Sequence, residues 1–282
     1  EMLADLYKHN NNFANSKWFR FEKRKIINSY VYKLRTGKIT INADNLTVCG
    51  NPYALLLYSV GEDWSKDITL NYEKGVIQCY TKRFEDGDYL CAIRNPHNSP
   101  NNICYLHNTY SEEIVKYFTF SNNIIAINCI QSDIQDRANG MDEDSDFLYV
   151  TNHPTMVKYA KICYDEYPTI VNKLNESNIT YENTKLAYAD MDNRFAKSRM
   201  SIGESSNLAQ LAMTYYWTNP SNKDLYDNFV ILSVIAQVAI DSCKREYEVD
   251  PINEINRIKS MACMNITKNI MINGKEVKVK CN

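Results

Sequence analysis

The chain has 282 residues, 44% hydrophobic and 23% charged, with a formal net charge of −2. That length supports one large core or two modest ones, and the composition is that of an ordinary globular protein. The near-neutral balance excludes a globally basic nucleic-acid binder, so such a partner has to be met by local patches.

Residues 1–37 read as helical, and "KWFRFEKRKIINSYVYKLRTGK" (17–38) mixes aromatic residues with cations. Such a helix covers the edge of a core or contacts phosphates. From Lys38 the period changes. "KITINADNLTVCG", "DITLNYEKGVIQCYTKRF", "YLCAIRN", "NICYLHN", "IIAINCI" and "DFLYVTN" are short strand signals, broken by turn dipeptides such as Asp86-Gly87. Strands of this kind over 38–152 point to a small closed barrel rather than a βαβ sheet.

After Asn152 the texture is helical. Pro154 suits a first turn, and Met156, Tyr159, Ala160 and Cys163 form a stripe at helical spacing. A further helix covers "NRFAKSRMSIGESSNLAQLAMTYYW", with Gly203 as a break, and "DLYDNFVILSVIAQVAIDSCKREYE" is strongly helical. Asn273-Gly274 marks a terminal hairpin. No internal repeat stands out, and a barrel packed on a helical layer is expected, an α+β fold.

The apolar run 229–240 is interrupted by Ser233 and Gln237 and is too short to span a bilayer, so no membrane is expected. Nine Cys without a C-x-x-C pair, and no apolar leader in 1–12, predict reduced thiols and a cytoplasmic protein. A chain opening on Glu1 is expected to be a piece of something longer.

The chemistry concentrates in "RANGMDEDSDFLYV" (137–150), where Asp142, Glu143, Asp144 and Asp146 fall within five positions. Asp142, Asp144 and Asp146 stand at i, i+2 and i+4, so a loop can converge them on one ion, and oxygen-only ligands favour Mg²⁺, Mn²⁺ or Ca²⁺ over zinc. A solvated acidic turn satisfies the same pattern. A helix–loop–helix calcium site does not, because its sixth and twelfth positions are Phe147 and His153 rather than Gly and Glu. His9, His97, His107 and His153 lack zinc spacing with Cys, and neither G-x-S-x-G nor a glycine-rich phosphate loop occurs.

The surroundings of the triplet resemble a known family. "AIRNPHNSPNNI" is similar to the R-N-P-x-x-x-P-G-D-I element of the RNA-silencing type RNA-dependent RNA polymerases. "NGMDEDSD" resembles their G-x-D-x-D-G-D loop, "SIGESSNLAQ" an I-G-x-x-x-N segment, and "AQVAIDSCK" an A-V-D-x-x-K segment. The matches run in the family's order and span 94–244, about half the chain. They point to the two-barrel RNA polymerase superfamily, closest to the silencing enzymes and related single-chain phage and bacterial polymerases.

The resemblance implies that 38–152 is the second double-psi β-barrel, carrying the metal loop, after an N-terminal helical segment (1–37) and before a helical region ending in a hairpin (153–282). It implies that Asp142, Asp144 and Asp146 bind catalytic Mg²⁺ or Mn²⁺, and that Arg94 is catalytic near the nucleotide and primer end. The chemistry implied is nucleotidyl transfer on a nucleic-acid template with nucleoside triphosphates. Two positions depart from the pattern. Ser145 replaces the loop glycine, and Asn101-Asn102 stand where Gly-Asp is usual. Nothing in 1–37 could be the other barrel, so a second polymerase barrel, in cis or in trans, is an expected partner. Without its lysines the isolated chain is expected to bind metal but not to extend a primer. The alternatives are a non-catalytic barrel relic that binds nucleic acid or protein, and a metal-dependent phosphodiesterase.

Overall fold

In a computed structural model, the described residues are all of 1–282 except 39, 74, 178–179, 181, 243–245, 266, 273–274 and 281–282. They form two units, Glu1–Asn42 and Ala43–Asn282. The first holds α1 (Met2–His9) and α2 (Lys17–Arg35). Ser16 caps α2, its Oγ accepting from the Phe19 N–H at 3.1 Å. Phe19 meets Tyr7 and Phe13 at ring separations of 6.4 and 5.7 Å.

The second unit opens with the barrel. Its elements are β1 (Ala43–Cys49), α3 (Pro52–Ser59), β2 (Tyr72–Glu73), β3 (Val76–Tyr80), β4 (Tyr89–Ile93), β5 (Ile103–Asn108), α4 (Glu112–Tyr117), β6 (Ile124–Ile127), α5 (Ile134–Arg137) and β7 (Phe147–Thr151). The strands follow the order β3-β5-β4-β7-β1-β6, and β6 pairs back onto β3 to close a ring of six. Closure leaves no unpaired edge in a sheet of short strands. Strand alternation sends Leu46, Ile77, Leu90, Leu106, Ile125 and Leu148 inward, where each is fully buried.

The ring repeats itself. The run β1-α3-β3-β4 is followed by β5-α4-β6-β7, and the first strand of each half lies parallel to the second strand of the other: β1 with β6, and β5 with β3. The registers obey the same two-fold. Leu46 faces Leu148 as Leu106 faces Leu90, and across the axis Cys91 pairs with Thr151 as Ile93 pairs with Tyr149. No repeat stands out in the sequence, but strand pairing shows a structural one.

Behind the barrel, α6 (Pro154–Glu166) lays Ala160 against Cys91 and Tyr105. Tyr159, placed on the same stripe by spacing, is 57% exposed instead. Then come α7 (Lys185–Thr218), α8 (Lys223–Asp241), α9 (Pro251–Ser260) and a hairpin of β8 (Thr267–Ile272) with β9 (Lys275–Lys280). Leu208, Ala212, Phe229, Leu232, Ile255 and Ile258 form a core separate from that of the barrel. Gly203 does not break α7, which runs through it for 34 residues. An isolated glycine costs a helix only about 1 kcal/mol against alanine. The expected Asn273-Gly274 turn, and Lys244 of the last resembling segment, lie outside the described residues.

Candidate metal centre

The acidic loop ends the connection between β6 and β7. Three residues at positive φ bend it: Asn139 and Gly140 at 65° and 71°, and Ser145 at 102°. Asn enters that region with little penalty, but serine does so only under constraint from its neighbours. One constraint is the Asp142 N–H, which donates to the Asp146 carboxylate at 3.0 Å. Another is β1, whose Val48 N–H donates to the Asp146 carbonyl at 2.9 Å. So bent, the loop brings carboxylate oxygens of Asp142, Asp144 and Asp146 within 4.8 Å of one another.

Arg94, just past β4, belongs to the same group. Its Nη2 donates to both oxygens of Asp146, at 2.9 and 2.8 Å, and its Nη1 donates to the Asn139 carbonyl at 2.9 Å. The pair is only 11% and 19% exposed, so the guanidinium neutralises Asp146 in partly dry surroundings. Arg94 thus offsets one of the triad's three negative charges, and Asp146 shares its lone pairs between Arg94, the loop backbone and any ion. Asp142 and Asp144 supply the remaining oxygens, a donor set suited to a hard divalent cation.

Glu143, the fourth acid of the run, turns the other way. It accepts from the Cys129 thiol at 3.6 Å and lies so close to Gly50 that a Cβ there would stand 2.3 Å from its Oε1. Burial, then the Glu143 charge, pushes the Cys129 thiol up to about 12. Arg137 is also elsewhere. Buried to 2% exposure, it donates to the carbonyls of Ile103, Cys163 and Tyr167 and to Thr169, and it stacks over Tyr164. It ties α6 to the barrel and supplies no charge to the acidic loop.

Two residues were not legible as site residues. Asn139, 1% exposed, donates to the Pro96 carbonyl at 3.1 Å and offers its side-chain oxygen to Gln237 Nε2 at 2.9 Å. Gln237 is itself buried on α8, so a hydrogen-bonded chain runs from the helical layer through Asn139 to Arg94 and Asp146. Its only trace in the sequence is a glutamine inside an apolar helix, which needs a partner when buried.

The two-fold gives the loop a twin. "EDGDYL" (85–90) before β4 superposes in register on "EDSDFL" (143–148) before β7, a match that sequence inspection could have caught. Gly87, the counterpart of Ser145, has φ of 83°. The Asn108 N–H donates to the Asp88 carbonyl at 2.8 Å, as Val48 does to Asp146. Asn152 stands where Arg94 would, and its Nδ2 donates to the Asp88 carboxylate at 3.0 Å. The twin departs at one decisive position: opposite Asp142 it has Phe84, buried in the barrel core. Among the described residues only the second loop gathers three carboxylates.

No protein-family model and no curated protein matches the chain. Among solved structures, it is similar to the RNA-dependent RNA polymerase QDE-1 from Thielavia terrestris, with 13% identity and a TM-score of 0.45 over 80% of this chain. The chain spans 25% of that polymerase's length. Similarity this distant carries no argument about the site.

Proposed function

We propose that this chain is the metal-bearing double-psi barrel of a divergent two-barrel RNA polymerase, acting in nucleotidyl transfer with Mg²⁺ or Mn²⁺ held by Asp142, Asp144 and Asp146. The observation that carries this is the convergence of three carboxylates within 4.8 Å at the end of a closed six-stranded barrel. The interlocked parallel pairs, β1 with β6 and β5 with β3, support the double-psi assignment. So does the order of the resembling segments, with 1–37, 38–152 and 153–282 as the working divisions.

A bound divalent ion would supply Lewis acidity and lower the pKa of a coordinated hydroxyl. The chain's own residues hold the ligands in place. Arg94 fixes Asp146 and leaves its guanidinium beside the carboxylates, where an incoming phosphate would meet a positive charge. Arg94 alone cannot offset a triphosphate next to three aspartates, which is why a second barrel, in cis or in trans, belongs to the proposal. Template and nucleoside triphosphates would then bind between the two.

Calorimetric titration with Mn²⁺ tests the site first: micromolar to millimolar binding is expected, lost in Asp144→Asn. Primer extension tests the chemistry, with no incorporation by the chain alone and Mn²⁺-dependent incorporation once a second barrel is supplied. Unaided phosphodiester cleavage would favour a hydrolase. Absence of Mn²⁺ binding would leave a barrel without catalysis.

A further inference from the structure

Charge is distributed unevenly along this chain. Helix α2 carries seven Lys and Arg against Glu22, a net +6 in 19 residues, so the rest of a chain of net charge −2 sums to −8. Among the described residues none of these seven cations sits in a salt bridge. The helix also buries none of its residues. Uncompensated charge at this density repels itself, and an anionic partner relieves the repulsion.

The faces of α2 differ. Phe19, Ile26 and Ile27 turn toward α1, where they line a small apolar groove with Tyr7. Lys17, Phe21, Arg24, Tyr32 and Arg35 recur every three or four residues, or every eight, and share another face, with Lys25 beside them. On it Phe21 is 64% and Tyr32 66% exposed, about 16 Å apart along the axis, with Arg24 and Lys25 between them. A protein interface favours aromatic residues and arginine at its centre but is depleted in lysine, and this face carries Lys17 and Lys25 with no acidic residue among them. A membrane-surface helix separates its aromatic side from its cationic side. Here rings and cations alternate on one face, the pattern that stacks unpaired bases while neutralising their phosphates.

We infer that this face of α2 is a binding surface for single-stranded nucleic acid, with Phe21 and Tyr32 as stacking platforms and Lys17, Arg24, Lys25 and Arg35 as phosphate contacts. It is carried by the residues of α2 alone and does not depend on the metal loop.

The test is fluorescence anisotropy of the full chain with a labelled oligouridylate of about ten nucleotides. Binding is expected at low salt, weakening as salt rises with a logarithmic slope of about −0.7 for each phosphate neutralised. Phe21→Ala with Tyr32→Ala should weaken it about tenfold or more without changing the slope. Arg24→Gln with Lys25→Gln should make the slope shallower by about 1.4. These exposed positions leave the fold intact, which circular dichroism checks. The titrations are run in EDTA, so that failure of the metal site and failure of this surface are read separately. No binding at low salt, or binding that neither double variant changes, overturns the inference. Self-association that Phe21→Ala abolishes, without strand binding, would reassign the face to a protein partner.

Discussion

At the scale of single residues, Ser145 and Arg94 decide whether the loop holds its shape. Ser145 keeps a φ of 102° that its counterpart Gly87 adopts at 83° without steric penalty. The strain is of the order of 1–3 kcal/mol, and glycine returns up to about 1 kcal/mol of it through the freedom of the unfolded chain. Ser145→Gly is therefore expected to raise stability by about 1 kcal/mol in urea denaturation and to keep the triad in place. A destabilised variant would mean that the Ser145 side chain itself supports the turn. For Arg94 the twin supplies the substitution. Asn152 holds Asp88 as Arg94 holds Asp146, so Arg94→Asn should keep the loop folded while removing its cation. Mn²⁺ affinity should then rise, because the ion no longer competes with a guanidinium for Asp146. Phosphate binding at the loop should fall. An unchanged Mn²⁺ affinity would show that Asp146 is not a ligand.

At the scale of elements, the acidic loop is held by a helix far away in sequence. Gln237 reaches Asn139 from α8, and Asn139 in turn carries Arg94. Gln237→Met preserves volume but leaves the Asn139 side-chain oxygen without its donor in a buried site. That costs about 1–3 kcal/mol. The expected outcome is a lower midpoint in denaturant together with weaker Mn²⁺ binding, although Gln237 touches no ligand. Loss of stability with unchanged metal affinity would place Asn139 in packing alone. The insertion that carries α5 and Asn139 belongs to the second half of the barrel only: β3 and β4 are joined by 81–88, whereas β6 and β7 are joined by 128–146. The two-fold thus explains the common turn, and the insertion explains why one copy acquired a tether.

At the scale of the whole molecule, four thiols are withdrawn from water: Cys79 and Cys104 in the barrel core, Cys129 at its edge and Cys91 beneath α6. Burial pushes Cys91, Cys104 and Cys129 up to about 12, with Glu143 adding to it at Cys129, and raises Cys79 further. All four are free. In the unfolded chain they ionise near their ordinary value of 9.0. Between about pH 9 and 12 the unfolded state therefore binds fewer protons than the folded one, and stability falls as pH rises. Each thiol contributes up to about 1.4 kcal/mol per pH unit to that fall. Thermal denaturation should show a midpoint that drops steeply above pH 9, and Cys104→Ala should flatten the drop. A midpoint insensitive to pH up to 11 would contradict the burial of these thiols. Among the described residues no helix is long and apolar enough to cross a membrane.

What the sequence determined by itself is local. Alternation in segments such as "NICYLHN" and the 3.6 period of 223–241 produce strands and helices wherever they are placed, because side-chain direction follows from backbone geometry. The spacing of Asp142, Asp144 and Asp146 likewise announces a loop that can gather charge. Tertiary structure decided the rest. Arg94 meets Asp146 only because β4 pairs with β7, and Gln237 meets Asn139 only because α8 packs behind the barrel. Arg137 and Glu143 lie near the triad in sequence, yet the fold sends the Arg137 side chain to a carbonyl of α6 and Glu143 against Gly50. The two-fold was written in two hexapeptides, but their equivalence rests on pairing registers, which are contacts between distant segments and leave no periodicity in the chain.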